Sequence, residues 1–283
     1  VVKAYGGFFY VHDGQTEREC TLRGRLRYTK KKVMVGDRVQ IVTGQDNKGV
    51  IENVLPRLSV LARPAVANVD QAVIVFSLCD PEPNLGLLER FLITTMLNKI
   101  IPIICFNKVD LAKESQAEIV SKYLENYNVI VTSAVTGEGL DFLRESLNDN
   151  ITVFAGPSGV GKSTILNAII PGLKQKTGEI SVRLKSGKHT TRHSELIALP
   201  GGGFVVDTPG FSNMDLPDLK PEDLAGFFPG IGDYQTNCYF NGCLHYKEPG
   251  CTIKKAVEEG KIEGDRYRQY LEFLEQLLDR RRH

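Results

Sequence analysis

Two nucleotide-binding signatures stand in this chain in an unusual order. The tetrad Asn107-Lys108-Val109-Asp110 precedes the glycine-rich loop Gly156-Pro157-Ser158-Gly159-Val160-Gly161-Lys162-Ser163, whereas most chains carrying both run the other way. Sites of this kind assemble at the carboxyl ends of several strands in an open α/β sheet, so chain order can be permuted without moving a ligand contact. The fold is thereby narrowed to a mostly parallel sheet wrapped by helices, cut and rejoined at a different point. Permutation also changes what each loop is wired to: here Asp207-Thr208-Pro209-Gly210 runs straight into the C-terminal region.

The hydrophobic pattern supports such a sheet. From residue 69 apolar runs alternate with amphipathic stretches, the mark of a doubly wound parallel sheet. Strands are expected at 72–78, 101–106, 129–132, 151–155, 196–199 and 204–206, and helices at 85–97, 116–127, 140–147 and 162–169. Each motif then falls at a strand's C-terminal end, where such sheets bind ligands.

The chemistry follows from residue type. In the glycine-rich loop, backbone N–H groups can curl around a β-phosphate, Lys162 can bridge β and γ oxygens, and Ser163, beside Thr164, can give its hydroxyl to Mg²⁺ at a helix N-terminus. In the tetrad, Asp110 can accept the N1–H and exocyclic amine of guanine, Asn107 can reach the O6/N7 edge, and Lys108 can lie along the purine face. Ser133 and Ala134, after Thr132 at the end of the next strand, can offer a backbone N–H to guanine O6. Asp207 can hold Mg²⁺ through water and the Gly210 N–H can sense a γ-phosphate.

Between these lies a polar, glycine-bearing stretch, 177–195, suited to a loop that orders around γ-phosphate and Mg²⁺, with Thr191 favoured over Thr190 as the metal-binding hydroxyl. Many GTPases place a Gln directly after Asp-x-x-Gly to orient the attacking water. Here that residue is Phe211, which offers no hydrogen-bond chemistry, so His189 is the first internal candidate and His193 the second.

Charge is uneven. Residues 1–60 carry eleven basic against six acidic side chains, leaving +5, while 61–217 and 218–283 each come to −2. Short alternating runs at 7–12, 21–28, 38–43 and 48–55 suggest a small barrel of about five strands. Arg23, Arg25, Arg27 and Lys30 to Lys32, beside Phe8, Phe9 and Tyr28, could track a phosphate backbone and stack bases; a solvated basic face over an aromatic core is the equal alternative.

Downstream, Cys238, Cys243, His245 and Cys251 supply three thiolates and an imidazole, a set that satisfies tetrahedral Zn²⁺ with no open position and so points to a structural metal. Helices are expected at 253–259 and 265–282. Six cysteines, two in apolar strands and three in this late cluster, suggest a reducing cytoplasm. No apolar run approaches membrane-spanning length and no secretory pattern opens the chain, although Val1 in place of Met leaves room for residues upstream.

In this order the motifs, with a basic barrel before and a Cys-Cys-His-Cys knuckle after, resemble the bacterial circularly permuted ribosome small subunit-dependent GTPases across essentially the whole chain. The resemblance implies a multidomain α/β protein: an N-terminal OB-fold barrel (1–64), a circularly permuted P-loop GTPase domain (65–217) and a C-terminal zinc-binding helical domain (218–283). It implies GTP/GDP, Mg²⁺ and Zn²⁺ as cofactors and late small-subunit maturation as the role. Weak intrinsic hydrolysis would be stimulated by the subunit, with His189 matching the catalytic His of the first switch and Lys162 and Thr191 beside it. Small-subunit rRNA is the implied partner, with no membrane and a monomeric state expected. Two rivals stand beside it: a P-loop enzyme phosphorylating a small substrate, and a non-catalytic RNA-binding scaffold indifferent to nucleotide.

Overall fold

The computed structural model describes residues 1–27, 32–62, 64–170, 172–173, 194–207 and 217–282. Five strands open the chain: β1 (Lys3–Tyr5), β2 (Phe8–His12), β3 (Glu17–Leu22), β4 (Val39–Thr43) and β5 (Lys48–Val54). They run in the order β1-β2-β3-β5-β4, with β3 and β5 parallel and the other pairs antiparallel, the Greek-key arrangement of an OB barrel. Val11, Cys20 and Ile51 lie at its core.

The strand expected at 21–28 lies earlier in the chain, at Glu17–Leu22, and shares only Thr21 and Leu22 with the expected span. After the Arg23 N–H donates to Ile51 O (3.0 Å), the chain leaves the sheet and turns through α1 (Gly24–Arg27), bringing Leu26 back onto the barrel core. β1 and two further strands, the hairpin β6 (Val60–Ala62) with β7 (Ala65–Ala67), are only three residues long, too short for periodicity to reveal.

The second sheet comprises β8 (Gln71–Ser77), β9 (Ile101–Asn107), β10 (Asn128–Val131), β11 (Ile151–Ala155), β12 (Glu195–Ala198) and β13 (Phe204–Asp207), in the order β10-β9-β8-β11-β13-β12. Helices α2 (Leu85–Leu97), α3 (Ala117–Leu124), α4 (Leu140–Leu147) and α5 (Lys162–Ile169) cover it. All seven positions of β8 are buried, because helices pack on both faces of a parallel sheet. Alternate residues accordingly enter different cores: Ile74 and Phe76 meet Phe91 and Leu92, while Val73 and Val75 meet Leu143 and Ile165.

One strand departs from the parallel expectation. β12 is antiparallel to β13 because the two are joined by a tight turn in which the Leu199 N–H donates to Gly203 O (3.0 Å). β12 also pairs with β1 at Lys3 and Glu195, whose side chains meet at 3.1 Å, so the barrel and the second sheet are continuous.

Short 3-10 turns (Pro221–Phe227 and Gly232–Asn237) lead to α6 (Thr252–Glu258) and α7 (Gly264–Arg282). Phe228, Ile231, Ile253, Tyr270 and Phe273 form this region's core, and Ile93 of α2 inserts into it. Among the described residues no helix is long and apolar enough to cross a membrane.

Candidate functional site

Chain direction across the sheet reverses between β8 and β11: β9 and β10 lie to one side of β8, β11 and β13 to the other. Loops leaving β9 and β11 therefore face each other across the end of β8, the crevice in which open α/β sheets hold ligands. The glycine-rich loop joins β11 to α5. Gly156 has φ +132°, and a Cβ there would stand 2.1 Å from Val75 O; Gly161 has φ +97°, and a Cβ would stand 2.3 Å from Asn107 Nδ2. Only glycine satisfies both the backbone and the space.

Gly161 caps α5, placing Lys162 and Ser163 in its first turn, both buried, with Thr164 half-buried behind them. The Lys162 ammonium donates to Gly156 O (2.7 Å) and Pro157 O (2.6 Å), so it is folded over the loop. Burial pushes its pKa down to about 8. Ser158 and Gly159 are exposed at the loop's tip while Val160 packs into the core beneath.

The tetrad is wired to this loop through Asn107. Its buried amide donates to Val160 O (2.9 Å) and accepts from Thr132 Oγ1 (3.1 Å) and the Ala134 N–H (3.2 Å). One side chain thus ties three segments. These bonds use one amide hydrogen and the carbonyl oxygen of Asn107, the last residue of β9, and hold it buried between the glycine-rich loop and the Thr132 turn. In the same turn the Ser133 N–H donates to Glu138 O (3.0 Å) and the Ala134 N–H to Asn107 Oδ1. Asp80 had no sequence signal of its own. Thr132 enters through its hydroxyl and Asp80 through its carbonyl, which accepts from Lys108 Nζ.

Lys108 adopts a left-handed conformation (φ 65°) that swings the chain off β9, and the following 3-10 turn Val109–Leu111 presents an exposed Asp110. Asp207 ends β13, beside β11, so its backbone lies at the same sheet edge as the glycine-rich loop. His189, Thr190, Thr191, His193, Gly210 and Phe211 lie outside the described residues, as do Tyr28, Lys30 and Lys31.

Farther along, Cys238, Cys243, His245 and Cys251 come together, with ligand atoms all within 4.8 Å of one another. Cys238 Sγ lies 3.9 Å from Cys251 Sγ, and His245 Nδ1 lies 3.4 Å from each. Tetrahedral Zn²⁺ with ordinary bond lengths requires about 3.8 Å between sulfurs and about 3.6 Å between sulfur and nitrogen. The residues fit the ion. Their surroundings hold them in place: Tyr267 Oη donates to His245 O (2.6 Å), Tyr270 Oη to Leu244 O (2.9 Å), and Glu248 accepts the N–H groups of Leu244 and Tyr246. Burial lowers the His245 pKa and keeps the imidazole neutral, as a ligand must be.

On the barrel, Arg23 pairs with Glu52 and Arg25 donates to Asn53 Oδ1 (2.7 Å), so part of the basic face is internally paired. Of the aromatic residues expected there, Phe8 is exposed, whereas Phe9 packs against the barrel core.

Comparison with known proteins agrees with this architecture along the full length. Residues 54–217 match the family model described as RsgA GTPase, and residues 1–51 match the RsgA N-terminal domain. The small ribosomal subunit biogenesis GTPase RsgA of Clostridium botulinum (strain Hall) is 46% identical over 286 residues, covering 100% of this chain and 98% of that protein. Its counterpart in Clostridium perfringens (strain SM101) is 47% identical, covering 99% and 98%. Among solved structures, YjeQ from Thermotoga maritima superposes with a TM-score of 0.86 at 38% identity, covering 98% of this chain and 97% of that one. YloQ, a circularly permuted GTPase, gives 0.83 at 37% identity, covering 99% and 94%. The reversed motif order, the OB barrel, the Cys/His cluster and these matches have one meaning: the chain belongs to the RsgA GTPase family.

Proposed function

We propose that this GTPase acts late in small ribosomal subunit maturation, binding the subunit's rRNA in the GTP state and leaving on subunit-stimulated hydrolysis. The observation that carries the reading is the Asn107 tie, which fixes the tetrad and the phosphate loop relative to each other as a guanine site needs. In this reading Gly156 to Thr164 grip the triphosphate, Asp110 and Asn107 select guanine with Lys108 along the base, and Ser133 and Ala134 close the base pocket. Mg²⁺ is held by Ser163, Thr191 and, through water, Asp207. With Phe211 after the Asp-x-x-Gly turn, His189 orients the attacking water, and the Gly210 N–H reads the γ-phosphate.

The domains divide at 1–64, 65–217 and 218–283, with the barrel and the last domain facing rRNA. Zn²⁺ at Cys238, Cys243, His245 and Cys251 supplies a cross-link that holds the last domain's loops. A monomeric, cytoplasmic protein fits this cycle. The relatives' name, small ribosomal subunit biogenesis GTPase, supports the partner. The test is GTP turnover with and without purified small subunits. Slow turnover accelerated by the subunit supports the reading; turnover accelerated instead by a small phosphate acceptor favours a metabolic enzyme, and RNA binding indifferent to nucleotide favours a scaffold.

A further inference from the structure

The metal-ligand loops carry a feature that core packing does not account for. Tyr239 is 81% exposed and Phe240 44% exposed, side by side with ring centroids 4.9 Å apart at 82°. Scattered exposed apolar residues are common and mean little. This pair differs in how it is held. It directly follows Cys238, whose sulfur sits in the Cys/His cluster, and the Tyr239 N–H donates to Gly250 O (3.3 Å) beside Cys251. Gly250 has φ +68°, and a Cβ there would stand 3.2 Å from Tyr239 Cβ, so the two ligand loops clasp each other under the rings. Neither ring belongs to the domain's hydrophobic core. Two large rings are thus presented to solvent on a fixed base.

The charge of the same segment argues for the partner. Between residues 238 and 255 there are three lysines, Lys247, Lys254 and Lys255, and one acid, Glu248, leaving +2 in a region whose overall balance is negative. The Glu248 carboxylate is occupied by the N–H groups of Leu244 and Tyr246. Lys247 lies over the Tyr246 ring at 4.8 Å, and Lys255 is also paired with Glu259. Exposed rings on a segment with excess positive charge match an unpaired nucleotide, which offers a flat face for stacking and a phosphate for a lysine.

We infer that Tyr239 and Phe240 form a stacking platform for unpaired RNA bases, through which the metal-bearing domain grips a single-stranded element of rRNA. The inference rests on the proposed rRNA-binding function and names the contact within it. Sequence-tolerant stacking contributes about 1–3 kcal/mol per base, so removing one ring weakens binding by about 5-fold to more than 100-fold and removing both by about 30-fold or more.

The chain contains no tryptophan, which makes Tyr239→Trp a clean reporter. Full-length protein carrying that change is titrated with purified small subunits and, separately, with a 12-nucleotide single-stranded oligoadenylate as the naked probe. Quenching of the introduced indole by both is the expected result. In parallel, Tyr239→Ala/Phe240→Ala loses subunit binding in co-sedimentation by the stated factor, Tyr239→Phe retains it, and zinc content and subunit-independent GTP turnover are unchanged in each. Equal co-sedimentation of wild type and the double variant overturns the inference, as does a blue shift without quenching, the sign of a protein partner. Failure of the wild type to bind subunits at all instead removes the proposed function, and the oligoadenylate titration then decides the stacking on its own.

Discussion

The carboxylate of Glu89 on α2 and the guanidinium of Arg266 on α7 form an ion pair across the boundary between the nucleotide-binding sheet and the C-terminal helices, with side chains 0% and 20% exposed. Arg266 also lies over the Phe228 ring (4.9 Å), and Arg90, one residue on from Glu89, donates to Gln276 (2.8 Å). At its other end α2 follows the Asp80-Pro81 turn, where Asp80 O accepts from Lys108 and a Cβ on Gly159 would stand 3.7 Å from Pro81. The α2 helix and the loop leading into it thus touch the base tetrad, the phosphate loop and the C-terminal domain.

Removing one member of that pair leaves a buried charge uncompensated, so Arg266→Ala is expected to destabilise the protein by about 3–5 kcal/mol. Replacing both partners with apolar groups, Glu89→Leu with Arg266→Leu, restores most of the loss. Urea unfolding of the three proteins measures it; equal midpoints for wild type and Arg266→Ala contradict the burial argument.

Asn107→Ala unties the Val160 carbonyl, the Thr132 hydroxyl and the Ala134 N–H together. Each orphaned buried group costs about 1–3 kcal/mol, and the base and phosphate loops lose their mutual register. GTP and GDP affinities are expected to fall alike, by at least about tenfold, in titration calorimetry. A loss confined to GTP places the effect at the γ-phosphate instead.

How far the sequence reveals this site depends on what kind of physics carries each part. The bounds of α2, α4, α5 and β11 follow the hydrophobic period residue for residue, because each buries a continuous apolar stripe. The Cys/His cluster was legible from ligand type alone. The Asn107 tie was not: its bonds to the Val160 carbonyl and the Thr132 hydroxyl join residues distant in the chain, and spacing alone does not show them. Nor was the antiparallel β12, whose direction is set by the turn at Gly203, or the pairing of Glu89 with Arg266, which joins residues far apart in the chain.

Lys162 provides a pH signature. Burial holds its pKa near 8, below the ordinary lysine value, and a bound phosphate favours the charged form and raises it again. Nucleotide binding should therefore take up about half a proton at pH 8 and almost none at pH 6. Calorimetry at pH 8 in two buffers of different ionisation enthalpy reads this directly; a heat independent of buffer contradicts it.

At the metal cluster, burial pushes the Cys243 thiol up to about 12 and raises Cys251 as well, so the metal must displace protons to bind. Zinc affinity is expected to fall as pH falls. Cys243→Ser or chelation should expose the 238–251 loops to limited proteolysis while leaving the nucleotide sheet folded. Protection unchanged after zinc removal means the loops are held by packing alone.

The central claim is that segments shuffled along the chain build one guanine pocket with Asp110 at its selective edge. Asp110→Asn exchanges an acceptor for a donor, matching xanthine and opposing guanine. Competition of GTP and xanthosine triphosphate for wild type and variant tests it most directly. The account predicts that preference reverses toward xanthosine triphosphate; an unchanged preference for GTP in the variant contradicts it.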